Sequence, residues 1–398
     1  MILEYKKLSE VTIDDLQSLV DSQYSEQRNI DYKLKLPDDW NAKDAKRKFL
    51  SDVCAFANSD GGFLLYGIKE ENTIPTDLVG IPIAEIEAKH LQVMTGIINN
   101  GVQPRLFGYD FQQVPINENY CILIVKVEKS LNAPHMVSFS GLDRFYHRNA
   151  IGNEQMDVYQ IRQAFLASDQ IFEKVKKWRN ERILEIESNN TFSLANTGKL
   201  VLHIVPLQFE ETLLSNSDLA KINEYGNFPT LNDSLTDARF NADGVLHYYQ
   251  RNNQPDLYVH YNQLFRNGNF EAVDTSHLRE GSFGYISLEV SIAKCVIKAM
   301  KMYPKLRIAS PIIVMLSLID VRGTTMSLND FRIEPKVIDR SKILFDPLII
   351  LPSENNILKA LKPLFDMIAN SCGLKESLSY GANGEWLHIG YLRSAGLT

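Results

Sequence analysis

Residues 58–62, Asn-Ser-Asp-Gly-Gly, join polar side chains to a glycine pair, and the stretch around them, 25–72, has carboxylates near both ends. Backbone N–H groups beside Asn58 and Ser59 could hold a phosphate in such a turn. Gly61 and Gly62 are equally typical of a structural turn, because glycine permits positive φ and close backbone approach where a helix reverses into a strand. Both interpretations of this turn stay open.

The segment 143–148, Asp-Arg-Phe-Tyr-His-Arg, interleaves basic and aromatic side chains. Arg144, His147 and Arg148 could contact a phosphate backbone while a neighbouring ring stacks on a base. The alternative is an ordinary β-strand with one polar face. The sequence contains two further clusters of basic residues, and each is consistent either with phosphate contact or with a solvated helix face. They are Lys43, Lys46, Arg47 and Lys48, and then Lys174, Lys176, Lys177, Arg179 and Arg182.

Hydrophobic periodicity predicts the elements that position these residues. Alternating apolar residues over 30–36 predict a strand, and spacings of three and four predict a helix near 42–58. An unbroken apolar run at 63–69 predicts a buried strand, which we expect in the same sheet as the first. The helix should pack on that sheet through Phe49, Val53 and Phe56. The polar face of the first strand carries Asp31, Lys33 and Lys35.

Composition and charge narrow the class of protein. The 398 residues carry a net charge of −7, so no global basic field gathers nucleic acid, and any polyanion site must be a local patch. The four cysteines are far apart and no His-Glu-x-x-His spacing occurs, which argues against a zinc site and a disulfide framework. Without an apolar signal core or a membrane-length apolar run, we expect a soluble, cytoplasmic protein.

The polar stretch 189–198 separates a charged helical segment from a strand-like one, and it suggests a domain boundary. The second half mixes predicted strands and helices, so the expected fold class is α+β throughout. We therefore predict an N-terminal domain over 1–168, a charged helical connector over 169–195, and a mixed α/β C-terminal domain over 196–398.

Several motifs of the first half together resemble the Schlafen AlbA-like domain family. That family has two acidic residues five positions apart in an E-F-K-like strand, then A-F-A-N-T-x-G-G, and then a strand that ends in G-V. The corresponding residues are Glu26, Asp31-Tyr32-Lys33, the segment 55–62, and Gly67-Ile68. Pro134 and the segment 144–165 are similar to the family's closing loop, strand and helix. The second half looks like the tail that some bacterial members carry.

The resemblance implies a nucleic-acid-related function and, for the nuclease members, a metal site of three carboxylates. The matching residues are Glu26, Asp31 and Glu70, with Mg²⁺ or Mn²⁺ as the implied metal, because hard cations prefer carboxylate oxygens. Lys33 would then stabilise the phosphate as part of the catalytic group. Asp31 stands where the family usually has Glu, and Glu70 where it usually has Asp, which would displace the centre of the site. The alternative is strand-end charges in a non-catalytic fold.

Two functions follow, and the first is a nucleic-acid-binding module, regulatory or defensive in role. Its candidate contacts are Lys35, Asn58, Ser59, Gly61, Gly62, Arg144, His147 and Arg148. The second is a metal-dependent endoribonuclease that cleaves tRNA or other RNA. Residues 1–168 hold 17 Lys and Arg against 23 Asp and Glu, a balance of −6, which disfavours tight non-specific binding to duplexes. The binding module ranks slightly first.

Two further expectations concern nucleotides and assembly. Nucleotide binding, for example of ATP, stays a third alternative through the glycine pair, although residues 197–200, Thr-Gly-Lys-Leu, do not form a P-loop. The resemblance implies that nucleases of the family consist of two such domains closed around a groove. Because this chain has one clear copy, we expect a homodimer to supply the second wall.

Overall fold

The structure is a computed structural model that divides the chain into two compact units, residues 1–173 and 174–398. It describes residues 2–6, 8–86, 88–130, 132–149, 152–207, 214–222, 228–232, 237–251, 254–306, 308, 311–328, 334–351 and 356–397. Both units mix helices with sheets, which confirms the α+β class. No helix in this part of the chain combines the length and apolar character needed to cross a bilayer.

The N-terminal unit contains three complete helices and the start of a fourth within its described residues. The helices are α1 (Ile13–Asp21), α2 (Lys43–Ala57), α3 (Ala88–Gly101) and α4 (Val158–Ser188), with 3-10 turns at Ile2–Tyr5, Leu8–Glu10 and Ile83–Glu85. The strands are β1 (Ile30–Lys33), β2 (Gly62–Tyr66), β3 (Ile68–Glu71), β4 (Ile74–Leu78), β5 (Ile81–Pro82), β6 (Val102–Gln103), β7 (Tyr109–Pro115), β8 (Tyr120–Val127), β9 (Met136–Phe139), β10 (Leu142–Arg148) and β11 (Asn153–Gln155).

A five-stranded mixed sheet organises the described part of this unit, in the order β1-β2-β8-β5 with β7 also paired to β8. β1 and β2 are parallel, with Ile30 opposite Phe63, so the predicted strands do share a sheet. The predicted run 63–69 is divided, however, because β2 ends at Tyr66 and β3 pairs with β4 in a separate two-stranded sheet. α2 connects them and buries Phe49, Val53 and Phe56 in one cluster with residues of β2 and β8, as predicted. β1 ends at Lys33, however, and Leu34 is exposed, so the predicted alternation stops halfway.

A smaller antiparallel sheet, β11-β10-β9-β6, packs against α2. Its central strand β10 is the predicted basic and aromatic segment. Arg144 lies opposite Val137 of β9, and His147 lies opposite Glu154 of β11. Side chains alternate across β10, so Arg144 and Arg148 share one face and His147 has the other.

The glycine pair forms the turn between α2 and β2 and is required there by space. Gly61 has φ of +76°, and a Cβ on it would lie 2.8 Å from both the Lys129 nitrogen and the Val127 oxygen. A Cβ on Gly62 would lie 2.3 Å from two ring atoms of Phe56 and 2.7 Å from the Asn29 oxygen. Distances this short would force the neighbouring atoms to move. Both glycines therefore let β2 enter the sheet directly beneath α2.

Replacing Gly62 by alanine is therefore expected to destabilise the N-terminal unit by about 1–3 kcal/mol, since the added methyl overpacks the Phe56 ring and a backbone oxygen. Gly96, inside α3, is the matched control because a Cβ there meets nothing within 4 Å. Gly96→Ala should stabilise the same unit by up to about 1 kcal/mol through helix propensity. Urea unfolding of both variants measures the difference, and equal midpoints would contradict the close packing of this turn.

The C-terminal unit is built on a larger sheet. Its helices are α5 (Asn216–Ile222), α6 (Tyr285–Met302), α7 (Ile357–Ser371) and α8 (Ile389–Arg393), with 3-10 turns at Arg279–Gly281 and Tyr303–Leu306. Its strands are β12 (Lys199–Pro206), β13 (Asp237–Phe240), β14 (Gly244–Arg251), β15 (Gln254–Phe265), β16 (Phe270–Asp274), β17 (Ser282–Gly284), β18 (Ile312–Ile319), β19 (Thr325–Ser327), β20 (Lys342–Leu344) and β21 (Leu348–Ile350).

Eight of these strands, as far as the structure describes them, form one sheet in the order β13-β14-β15-β16-β12-β18-β20, with β21 also paired to β18. The main hydrophobic core lies on one face of this sheet beneath α6 and α7. Ile183 and Ile186, from the end of α4, pack with Tyr261 in a second cluster that includes residues of β12 and β18. Both faces of the sheet are therefore covered, which explains why β12 and β18 are buried along their whole length.

α4 begins at a reciprocal cap between Asp157 and Gln160 and continues without interruption for 31 residues. The Asp157 nitrogen donates to Gln160 Oε1 at 2.8 Å, and the Gln160 nitrogen donates to Asp157 Oδ1 at 2.7 Å. The boundary between the two units falls inside this helix, after Glu173. Arg179 and Arg182 do not lie on a solvated face, because Arg179 donates to the Phe345 oxygen and Arg182 binds both carboxylate oxygens of the buried Glu271.

Candidate functional site

Asp31 is the centre of a buried polar cluster in the N-terminal unit. Its neighbours Ile30 and Tyr32 point into the hydrophobic cluster on the other face of the sheet, so Asp31 points toward α2. The residue is only 5% exposed. Its Oδ1 accepts from Arg148 Nη2 at 3.0 Å, and its Oδ2 pairs with Lys33 Nζ. One buried carboxylate therefore faces two cations.

Arg148, predicted to contact nucleic acid, lies in the interior and is 3% exposed. Besides Asp31, its guanidinium donates to the Gln27 oxygen at 3.2 Å, the Ile30 oxygen at 3.0 Å and Asn153 Oδ1 at 3.1 Å. The guanidinium carbon also lies 4.5 Å from the centre of the Phe56 ring. Arg148 thus joins β10 to β1 and α2, and these internal bonds leave it unsuited to a phosphate contact.

Two more carboxyl groups adjoin Asp31, and their protonation depends on it. Burial, followed by the charge of Asp31, raises the pKa of Glu26 to about 7. The same two causes raise the pKa of Asp52, on α2, to about 6. Burial also acts to raise the pKa of Asp31, but Lys33 and Arg148 outweigh it and hold that pKa below its ordinary value. Below about pH 6 the cluster therefore concentrates its negative charge on Asp31, because Glu26 and Asp52 are then mainly protonated.

Asp52 and its partner Asn153 were not found from the sequence. Asp52 is buried, and Asn153 Nδ2 donates to its Oδ1. A signal was present, because position 52 falls on the apolar face of α2 defined by Phe49, Val53 and Phe56. A carboxylate on such a face needs a buried partner, but the sequence does not tell which strand supplies it.

The three carboxylates implied by the family resemblance are only partly brought together. Glu26 shares a hydrogen bond with Asp31, and its Oε1 accepts from the Tyr32 nitrogen at 2.8 Å. Glu70 lies on the exposed β3–β4 hairpin, where its Oε2 accepts from the Thr73 nitrogen at 2.6 Å. That hairpin does touch the Glu26 backbone, since the Glu26 nitrogen donates to the Thr73 oxygen at 2.7 Å.

These contacts do not fit a shared hard cation. Asp31 is engaged by Lys33 and Arg148, whose positive charges would repel a metal ion. Glu26 and Glu70 each use an oxygen to accept from a backbone N–H. Throughout the described ranges, no group of three or more His, Cys, Asp or Glu side chains is arranged to hold a metal ion.

The polar residues of the glycine turn are also used internally. Asn58 Nδ2 donates to the oxygens of His135 and Tyr146, both at 2.8 Å, and its Oδ1 accepts from the His135 nitrogen. Ser59 Oγ accepts from the Arg148 nitrogen at 2.8 Å. The N–H groups of Asn58, Ser59 and Gly61 all donate to carbonyl oxygens of α2. The structural interpretation of this turn therefore accounts for its residues, and these N–H groups are not available to a phosphate.

Exposed cations lie elsewhere, in the first half of α2 and on β10. Lys46 Nζ lies 5.8 Å from the centre of the Phe139 ring on β9. Arg144 is exposed, and its strand partner Val137 is two residues from Phe139 on the same face of β9. We name this region the basic surface, defined by Lys43, Lys46, Arg144 and Phe139.

Two predicted contacts lie outside the basic surface. His147 points to the opposite face of β10, with Nε2 3.5 Å from Glu154 Oε2 and 3.5 Å from Gln160 Nε2. Lys35 follows the end of β1 and is exposed, and its Nζ pairs with Asp38 at 2.7 Å. Both side chains retain access to solvent, but each lies close to a polar side chain of the same chain.

Comparison with known proteins identifies one domain. The family model described as Schlafen, AlbA_2 matches residues 26–157. No curated protein matches the chain. Among solved structures, it is similar to the DIP2311 protein from Corynebacterium diphtheriae at 17% identity, over 36% of this chain and 26% of that one, with a TM-score of 0.25. The chain therefore spans about a quarter of that protein's solved length.

Proposed function

Because residues 26–157 belong to the Schlafen AlbA_2 family, which is associated with nucleic-acid-related function, we propose that this chain is a nucleic-acid-binding protein that uses the basic surface. The observation that carries the proposal is the separation of two groups of charges. Asp31 and Arg148 neutralise each other in the interior, whereas Lys43 and Arg144 are exposed. The exposed cations are the ones free to approach a phosphate backbone.

A single-stranded ligand suits this surface better than a duplex. The basic surface is short, and Phe139 beside Lys46 offers an aromatic face on which a base can stack. The N-terminal region has a negative balance, which opposes the many phosphate contacts that duplex binding requires. Three contacts to a single strand give a slope of about −2 for the logarithm of the binding constant against the logarithm of salt concentration.

Arg144→Gln is the variant that tests the surface. It should weaken binding of labelled single-stranded RNA and DNA at all sequences, and it should reduce the salt slope by about 0.7, because one phosphate contact is lost. Fluorescence anisotropy over a salt series measures both quantities. Lys69→Gln is the matched control, since Lys69 is an exposed lysine of β3 that pairs with Glu71 and lies outside the basic surface.

Two outcomes would overturn this proposal. One is the absence of salt-sensitive binding to any RNA or DNA by the wild-type chain. The other is an equal loss of affinity in Arg144→Gln and Lys69→Gln, which would mean that the basic surface has no special role.

A metal-dependent endoribonuclease is the second candidate, and the adjacency of Glu26, Asp31 and Lys33 favours it. This activity requires Arg148 or Lys33 to leave Asp31 before a cation enters, so we rank it below binding. Incubation of labelled tRNA and single-stranded DNA with Mg²⁺, Mn²⁺ or EDTA distinguishes the two. Under the binding proposal the substrates stay intact in all three. Metal-dependent cleavage that is lost in Glu70→Gln, an exposed and structurally mild change, would instead establish the nuclease.

A further inference from the structure

A hydroxyl, an imidazole and a carboxylate lie in series in the C-terminal unit. Ser291 Oγ, on α6, is 3.0 Å from His277 Nε2. His277 Nδ1 is 2.8 Å from Oδ1 of Asp274, the last residue of β16. The order and the two distances are those of a nucleophile, a general base and the group that orients the base.

The carboxylate is held rigidly. Asp274 is fully buried, and its Oδ1 also accepts from the backbone nitrogens of Ser276 at 2.7 Å and His277 at 2.9 Å. Its Oδ2 accepts from Asn232 Nδ2 at 3.2 Å and from the Ser276 hydroxyl at 3.0 Å. Burial acts to raise the pKa of Asp274, but His277 and Ser276 hold it well below its ordinary value.

The ionised carboxylate determines the tautomer of His277. An ionised Asp274 can only accept, so the Nδ1 that faces it carries the hydrogen. Nε2 then has a free lone pair, and Ser291 is the donor in the second hydrogen bond. This is the arrangement in which the imidazole can remove the serine proton.

The hydroxyl faces a cavity of about 320 Å³ whose lining is polar. The lining residues are Asn232, Ser276, His277, Gly284, Ser287 and Ser291. Gly284 is the N-cap of α6 and Ser287 belongs to the first turn of that helix. The positive end of this 18-residue helix therefore adjoins the cavity, where it stabilises negative charge that develops on a bound oxygen.

We propose that Ser291, His277 and Asp274 form a hydrolytic site for a small ester with a polar acyl group. Ser291 Oγ bonds to the acyl carbon while His277 Nε2 takes the serine proton. The bond from that carbon to the alcohol oxygen then breaks, and the leaving oxygen receives the proton from His277. Water attacks the acyl-serine with His277 as base, the carboxylic acid departs, and Ser291 regains its proton. The net reaction is ester plus water to acid plus alcohol.

Covalent labelling of the full-length chain tests this site. A fluorophosphonate probe should form an adduct on Ser291, located by peptide mass spectrometry, and p-nitrophenyl acetate should be hydrolysed. Ser291→Ala should lose the adduct completely, and His277→Gln should slow labelling by about 10²–10⁴-fold through loss of the general base. Ser371→Ala is the control, since this helical serine donates to the Ile368 oxygen in α7 and should label like the wild type.

A purely structural hydrogen-bond series gives a different result, because an unactivated serine does not react with the probe. The absence of an adduct on Ser291 in the folded wild-type chain would overturn the proposal. So would wild-type labelling rates in folded His277→Gln. If thermal unfolding reveals that His277→Gln does not fold, labelling of the wild type and of Ser291→Ala decides the question alone.

Discussion

Arg148→Met is expected to destabilise the N-terminal unit by about 3–5 kcal/mol, the usual cost of removing one partner of a buried ion pair. The change leaves Asp31 with Lys33 alone and removes one hydrogen-bond donor from each of the oxygens of Gln27, Ile30 and Asn153. Methionine fills part of the volume, so the loss is chiefly polar. Thermal unfolding, with hydrogen exchange of β1 and α2 amides as the local readout, measures the effect.

Arg144→Met, on the same face of the same strand, is the matched control. It removes the same charge from an exposed position, and its effect on stability should stay within about 0.5 kcal/mol. The pair separates two roles of arginine in this segment. If Arg148→Met folded as well as the wild type and lost only nucleic-acid binding, the interior role assigned to Arg148 would be refuted.

The second large effect is a pH dependence of stability in the C-terminal unit. Glu289, on α6, is 1% exposed, and Ser377 Oγ donates to its carboxyl oxygens at 2.9 and 3.1 Å. Burial raises the pKa of Glu289 from its ordinary value of 4.5 to about 7. Between these values the folded chain holds a proton that the unfolded chain releases, so the free energy of unfolding falls as pH rises.

Glu289→Gln should remove this dependence, because glutamine is neutral at every pH. Relative to the wild type, the variant should gain stability on the order of 3 kcal/mol as pH rises from about 4.5 to about 7, and the gain should level off above that. Urea unfolding across this range measures it. Glu181→Gln, at an exposed position of α4, should track the wild type throughout. A stability difference between Glu289→Gln and wild type that is constant with pH would contradict the prediction.

Hydrophobic periodicity was sufficient to predict the helix and strands around Asp31. It was insufficient to predict the buried polar cluster that Asp31 forms. The apolar spacings of α2 and the run at 63–69 predicted a helix packed on a strand, and in the structure α2 packs on β2, which pairs with β1. Alternation also predicted that Asp31 points to one face of β1 while Ile30 and Tyr32 point to the other. Alternation cannot tell whether a polar face is open to water, because that depends on what covers it. Here α2 covers Asp31.

Arg144 and Arg148 illustrate the same limit within one strand. They share a face of β10, and the sequence gives both the same residue type and the same alternation. Their environments differ because Arg148 is buried beside Phe56 of α2, while Arg144, four residues earlier in β10, is exposed to solvent. Lys33 and Asp31 belong to another part of the chain, so pairing with them is a property of the tertiary fold and not of local pattern.

The Asp31–Arg148 bond joins residues 117 positions apart, and this separation has a kinetic consequence. During synthesis β1 and α2 leave the ribosome long before β10, so Asp31 and Asp52 have no arginine to meet. A nascent chain cannot bury these carboxylates in their final state until residue 148 has emerged. Closing so large a loop makes the polar interior a late event in folding.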